Sequence, residues 1–400
     1  MKKILIVSQY FYPENFRVND IAFQLVQLGF DVTVLTGIPN YPSGKFFKGF
    51  TIFKTKKEIL YQGVKMIRLP IFARGKNKIS LALNYLSFWF LGSLFCLFTS
   101  KRFDLVFTYG ISPILQGSIA NIYARRFKVK SYLYLMDFWP YSIEAVDGIR
   151  NKLILKYLGT ISKCIYLRSD KILISSQGYE SDLIKFGVDP SKIIYWPQYH
   201  EDFYKPLQPD YSRTPELNQN RFNITFTGNL GYAQGLFIFI EFIKEYKNKL
   251  TQIGCMFNFI GDGRAKIELK ELVLHYHLEN LVTFMDSMNS EQIPQYLANS
   301  KVALLIIKDN EFMNKVLPAK VSTYVGCKIP ILAIAKNPLA EFIEKYHFGI
   351  SSHSYDKAMI MKTVEETIQN YYILNDKLKF SEDLFMQNHL MNQLIDLFLN

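Results

Sequence analysis

The chain has 400 residues, 49% apolar and 16% aromatic, which is material for two hydrophobic cores, since single cores stop growing near ~250 to 300 residues. Its formal charge of +12 suits nucleic acid, an anionic membrane surface or acidic small molecules, and does not choose among them. Cys96, Cys164, Cys255 and Cys327 lack any C-x-x-C spacing, and His275 and His277 stand two apart, facing different sides of a helix. No structural metal is expected, and a reducing cytoplasm is the expected compartment. The first apolar run breaks at Ser8-Gln9, too short for a signal peptide.

Strand-like runs recur at 4–10, 32–37, 65–70, 104–110, 131–138, 171–176 and 193–197, with helix-like segments between them. Such alternation predicts a mostly parallel sheet covered by helices on both faces. The first turn, Ser8 to Arg17, has no glycine, so a dinucleotide fingerprint is absent there. Its Glu14, Asn15 and Arg17 suit a hydroxyl-rich or anionic ligand; a plain polar loop with Pro13 as helix starter reads equally well. After the second strand, Thr36 to Lys45 is dense in turn formers and long for a strand-to-helix connection, as functional loops often are.

From Ile79 to Thr99 the chain is almost long and apolar enough to span a bilayer, and Lys101-Arg102 follow. Asn84, Ser87, Gly92 and Ser93 dilute it, and a crossing would put the flanking α/β units on opposite sides. A buried or membrane-grazing helix is the expectation. Asp137, ending a strand beside Trp139, fits proton transfer or stabilisation of a developing positive charge; a helix N-cap or turn residue before Pro140 is the plainer reading.

Residues 200–220 carry three prolines and no apolar periodicity, reading as an interdomain linker. Strand-like runs resume at 223–228, 256–261, 281–286, 302–307 and 329–335. Two glycine turns follow the first two of them: Gly228-Asn229-Leu230-Gly231, continuing through Gln234 to Gly235, and Gly261-Asp262-Gly263-Arg264. Glycine lets backbone approach a pyrophosphate closely, and the helix that follows supplies free N–H groups and a positive dipole. The tail from Lys377 has apolar residues at helical spacing and no strand to feed. The expected domains are 1–205, 206–376 and a terminal helix at 377–400 packed on one of them.

These residues resemble the GT-B glycosyltransferases of retaining family 4, over essentially the whole chain, and in particular the bacterial N-acetyl-L-fucosamine transferase branch of capsule and O-antigen synthesis. The resemblance rests on five motifs in order: the Pro13-Glu14 turn, the T-G-x-P-N-Y-P-x-G loop (36–44), D-x-W-P (137–140), G-N-x-G-x-A-Q-G (228–235) and P-x-K (318–320). It implies an α/β GT-B fold, two Rossmann-like doubly wound domains facing each other across a cleft. It also implies an N-terminal domain that binds the acceptor through Glu14, Asn15, Arg17, Asn40, Tyr41 and Trp139. The C-terminal domain would bind a UDP sugar through Gly228, Asn229, Gly231, Gln234, Gly261, Asp262, Gly263, Arg264, Lys315, Pro318 and Lys320. Asp137, Lys320 and Arg264 would be catalytic, with no cofactor and no metal.

Two positions depart from the family. Many relatives carry Arg and Lys where this chain has Asn229 and Gln234, and glutamates where alignment on Pro330 puts Lys315 and Thr323. Arg264, Lys315, Lys320 and Arg17 are the available replacements for the missing cations; Glu311 lies near the ribose position but off the pattern. The expected activity is retaining transfer of an N-acetylated deoxyhexosamine from a UDP sugar to a polyisoprenyl-diphosphate-linked glycan for capsule, O-antigen or exopolysaccharide. The expected location is the inner face of the cell membrane, peripherally bound to its anionic surface. A UDP-sugar 2-epimerase of the same fold and a non-catalytic sugar-nucleotide-binding partner remain alternatives. Nucleic-acid binding is disfavoured because the basic residues are dispersed.

Overall fold

The computed structural model describes residues 1–52, 58–75, 77–144, 151–378 and 383–399. The chain forms two compact units. One holds Met1–Ser175, Tyr179–Trp196 and Leu394–Asn400; the other holds Ser176–Gly178 and Pro197–Gln393.

In the first unit the strands are β1 (Lys3–Val7), β2 (Asp31–Gly37), β3 (Glu58–Tyr61), β4 (Val64–Leu69), β5 (Leu105–Gly110), β6 (Lys130–Leu135), β7 (Lys171–Ile174) and β8 (Ile193–Tyr195). They lie in the order β3-β4-β2-β1-β5-β6-β7-β8, parallel except for the antiparallel β3–β4 hairpin. β1 is buried from Ile4 to Val7 with no polar alternation, as a central strand covered on both faces requires. All seven expected strands are present, though several end earlier than expected: 8–10, 136–138, 175–176 and 196–197 are loop. β3 was not expected. Its signal was the Gln62-Gly63 turn, both residues at positive φ, which closes the hairpin with β4.

The apolar segment forms a helix from Lys78 to Phe98, N-capped by Asn77, whose side chain accepts from Ser80 N–H at 2.7 Å. It is long and apolar enough to cross a membrane. One stripe, Asn84, Phe88, Gly92 and Cys96, is nonetheless buried in this unit, at the i, i+4 spacing of a helix face. Gly92 sits against the helix Gln116–Phe127, where an added Cβ would come within 2.7 Å of Ile119. The opposite stripe is open: Ile79, Leu83, Leu86, Phe90 and Leu97 are all exposed.

In the second unit β9 (Phe222–Thr227), β10 (Cys255–Ile260), β11 (Val282–Met285), β12 (Val302–Ile306), β13 (Ile331–Ile334) and β14 (Gly349–Ser351) form a parallel sheet in the order β11-β10-β9-β12-β13-β14. The order reverses beside β9, so the ends of β9 and β12 mark the switch point where such sheets bind ligands. β14 is three residues long, too short for its pattern to stand out in sequence.

The expected linker is a correction. Residues 200–220 belong to the second unit and pack there: Asn299 accepts from Asp210 N–H at 2.7 Å and donates to Thr214 Oγ1 at 2.6 Å, and Thr214 and Leu217 are buried. The division falls at Trp196–Pro197 rather than 205. The tail holds helices Tyr371–Leu378 and Gln387–Leu399, with 379–382 outside the described residues. Its last residues return to the first unit, where Phe398 packs against Phe30, Phe107 and Tyr132 and Lys2 Nζ donates to the Phe398 and Leu399 carbonyls.

Candidate functional site

In the second unit the two glycine turns interlock at the ends of β9 and β10. Leu230 N–H donates to the Asp262 carbonyl at 2.8 Å, and Ala265 N–H to the Leu230 carbonyl at 3.0 Å. A Cβ at Gly261 would stand 1.9 Å from the Gly228 carbonyl oxygen, and one at Gly263 2.4 Å from that of Leu230. Gly228 and Gly261 also adopt φ of 123° and 147°, which L side chains rarely reach. The glycines are therefore required first by one turn's approach to the other. Gly235, at φ 69°, packs on the end of β12 and opens the helix Leu236–Glu245, whose first turn has no side-chain cap. Its leading N–H groups are left for another acceptor.

Lys320 rises into this cradle from the start of the helix Lys320–Gly326. Tyr324 pins that helix from below: its hydroxyl accepts from Thr227 N–H at 3.0 Å and donates to the Leu304 carbonyl at 3.3 Å. The Lys320 ammonium lies 3.6 Å from the Phe226 ring centroid and donates to Gln234 Oε1 at 2.8 Å, and a Cβ on Gly228 would meet it at 3.6 Å. The residue as a whole is half-buried, but its head sits among apolar and neutral groups. That desolvation pushes its pKa down to about 7.

Asn229, Gly231, Gln234, Asp262 and Gly263 share this cradle with Lys320. Asp262 accepts from Gly263 N–H at 2.8 Å through its own side chain, and Arg264 is exposed, with no partner among the described residues. Lys315 lies apart from the turns. Its ammonium pairs with Glu311 at 3.2 Å and its carbonyl accepts from Ser176 Oγ at 2.5 Å. The Pro318 carbonyl accepts from Val321 N–H at 2.9 Å, starting the Lys320 helix. Lys266 carries a role that the sequence did not disclose. It is buried and bonds the Gly261 carbonyl at 2.8 Å, the Met285 carbonyl at 3.3 Å and Asp286 at 2.6 Å. Lys266 is one of two lysines in a ten-residue helical pattern, and neither gives a sign in sequence of folding back onto strand ends.

In the first unit the two predicted loops meet on one carboxyl group. Glu14 is buried and accepts from the backbone N–H groups of Asn40 and Tyr41, both at 2.7 Å, and of Phe11 at 3.3 Å. Burial outweighs those donors and pushes its pKa up to about 7. Arg68, from β4, donates to the carbonyls of Gly37 and Tyr12 beside it, and desolvation lowers its own pKa to about 10. Asn40 donates to the Ile38 carbonyl and accepts from Arg74 N–H at 2.9 Å, while the Arg74 guanidinium lies over the Tyr41 ring and donates to Tyr10 OH at 2.8 Å. Glu14 and Asn40 thus build the loops. Asn15 is exposed and Tyr41 partly so, which leaves those two side chains available to a ligand.

Asp137 and Trp139 form a second cluster. Asp137 accepts from Ser112 N–H at 2.7 Å, and the Trp139 indole donates to Ser112 Oγ at 2.9 Å, fastening the β6 turn to the β5 turn. Trp139 is buried. Arg17 and Asp137 both act on the Tyr109 hydroxyl, the first lowering and the second raising its pKa, though burial dominates. Among the described residues no three His, Cys, Asp or Glu side chains gather as a metal site.

Residues 208–382, within the second unit, match the family described as Glycosyl transferases group 1. No curated protein matches the chain. Sucrose-phosphate synthase from Thermosynechococcus elongatus superposes with a TM-score of 0.75 at 13% identity, covering 100% of this chain and 98% of that one. Anabaena HepE in complex with UDP and glucose gives 0.68 at 14%, covering 100% of both. WaaG, a glycosyltransferase involved in lipopolysaccharide biosynthesis, gives 0.69 at 12%, covering 98% and 99%. The fold is GT-B. Within a GT-B chain both clusters stand where the fold places ligands, at the carboxyl ends of parallel strands.

Proposed function

We propose that this chain is a retaining glycosyltransferase that uses a UDP sugar. The interlocked glycine turns with Lys320 beside the first of them carry that reading. They offer backbone N–H groups, a helix start and one cation at the switch point of the sheet, which is what a leaving diphosphate requires. Lys320, with Arg264 on the neighbouring turn, neutralises the charge that develops as the bond from the anomeric carbon to the diphosphate oxygen breaks. No metal is assigned to that role. UDP, UDP-glucose and UDP-2-fluoro-glucose are named in the complexes of HepE and of the E. coli trehalose-6-phosphate protein, which share this fold and supply the donor class.

The first unit takes the acceptor, through the surface built on Glu14 and Asn40 and through the Asp137 cluster. The acceptor proposed is a polyisoprenyl-diphosphate-linked glycan of capsule or O-antigen synthesis, at the cytoplasmic face of the membrane. The helix Lys78–Phe98 supports that choice, because its exposed apolar stripe belongs at a lipid interface. The sugar moved is taken to be an N-acetylated deoxyhexosamine, from the sequence motifs alone.

Thermal-shift titration with UDP, GDP and their sugars, followed by transfer to a membrane lipid extract, tests the reading. Stabilisation by UDP and a lipid-bound product are expected. Preference for GDP overturns the donor, and binding of a UDP sugar without transfer leaves only a sugar-nucleotide-binding protein.

A further inference from the structure

The helices Lys78–Phe98, Gln116–Phe127 and Lys152–Arg168 lie side by side on one face of the first unit. Two close contacts set their spacing, Gly92 on Ile119 and Gly117 on Ile165, where an added Cβ would come within 2.7 and 2.6 Å. Hydrogen bonds fix it further: Trp89 Nε1 to Ser118 Oγ at 2.8 Å, and Asn121 Nδ2 to the Ile165 carbonyl at 3.1 Å. Between the outer ends of the side chains a groove of about 890 Å³ remains. Trp89, Ile122, Tyr157, Leu158, Ile161 and Cys164 line it, with Arg125 and Arg168 at one end.

The charge around the groove is predominantly positive, Asp170, which accepts from Ser131 N–H, being the one acidic residue among the described lining. None of the three helices contains an Asp or Glu, while Lys78, Arg125, Arg126, Lys152, Lys156, Lys163 and Arg168 lie on them. The third helix is also apolar outward, with Leu153, Ile154 and Tyr157 exposed. A partner protein that filled an apolar groove among so many cations would need a run of acidic residues. An anionic lipid brings the hydrocarbon and the charge in one molecule.

We propose that this groove takes an acyl chain of an anionic bilayer phospholipid, with Arg125 and Arg168 meeting its phosphate. The inference rests on the membrane-side reading above and extends it from one grazing helix to a site for a single lipid. Ordinary interfacial binding leaves a groove in contact with headgroups; occupancy by a chain makes it dry.

Cys164 provides the probe, because it is exposed in the groove while Cys96, Cys255 and Cys327 are buried. The full chain, labelled at Cys164 with bimane, is mixed with phosphatidylcholine vesicles with or without phosphatidylglycerol brominated on its chains. The expected result is a blue shift and quenching by brominated phosphatidylglycerol only, with vesicle affinity falling by an order of magnitude in Thr160→Glu. Thr160 is exposed on the groove wall, so this variant is expected to fold, and its response to UDP serves as the check. Vesicle binding with Cys164 still in water overturns the proposal, as does a blue shift confined to phosphatidylcholine vesicles doped with a polyisoprenyl phosphate. A blue shift that grows with protein concentration without vesicles also overturns it and assigns the groove to self-association. Because UDP is bound elsewhere in the chain, a failure here with UDP stabilisation intact separates this inference from the donor assignment.

Discussion

Lys320 is asked to carry positive charge to a diphosphate from a setting that disfavours it. With a pKa near 7, the fraction charged falls as pH rises from 7, so UDP affinity is expected to fall by up to about tenfold per pH unit across the alkaline range. Lys320→Met should bind UDP more weakly at pH 6.5 and lose that alkaline dependence; calorimetry from about pH 6 to 9 reads both effects. Arg264→Met, removing an exposed charge, should weaken UDP less and leave the slope intact. Unchanged affinity and turnover in both variants would remove these side chains from the mechanism.

Glu14 gives the opposite lesson about a buried charge. Its carboxyl has a folded pKa above the ordinary one, so the native state binds more protons than the unfolded chain between about 4.5 and 7, and stability should decline as pH rises through that window. Glu14→Gln removes this decline. It keeps one oxygen for the Asn40 and Tyr41 N–H groups, both of which bond the same Oε1, and turns an amide nitrogen toward Phe11 N–H. Glu14→Ala strands all three donors and should cost ~2 to 4 kcal/mol, read by denaturant unfolding at pH 7.

At the scale of elements, the interlocked turns behave as one part. Gly261→Ala forces a Cβ into the Gly228 carbonyl at a φ alanine avoids, and the loss should exceed ~3 kcal/mol with UDP binding abolished. Gly231→Ala meets only the Asn229 side chain, which can swing away, and should cost far less. Comparing the melting temperatures of the two variants checks the distinction. The turns were legible in sequence because glycine after a β-branched run has few other meanings. Their contact with each other was not, since it depends on β9 and β10 being neighbours. For the same reason Lys266, Arg68 and Arg74 escaped notice: each acts on backbone or rings brought near only by the sheet. Gln234 marks a cation missing from the family pattern and Lys320, 86 positions away, a replacement for it, yet nothing in the chain shows them to be hydrogen-bonded. Residues 200–220 misled for a related reason, because polar side chains and prolines suit a linker and equally suit a segment held by Asn299.

For the molecule as a whole, the net charge of +12 and the outward apolar stripe predict salt-dependent partition to anionic vesicles. Flotation at about 50 mM and 500 mM salt should show binding at the lower value and most of it lost at the higher. Binding equal to that of neutral vesicles at both would detach the charge from membrane attachment. The α/β class and most strands could be read in advance because buried parallel strands are long apolar runs between turn formers. The unit boundary could not, because the tail re-enters the first unit through contacts hundreds of positions apart.

That return has a consequence in time. Phe398 completes an aromatic group with Phe30, Phe107 and Tyr132, so on the ribosome the first half of the chain is made early and yet lacks a piece of its interior until residue 398 has been added. The second unit runs to Gln393 and buries Phe385 and Leu390, so it is complete just before the first. The part synthesised first is therefore the part finished last.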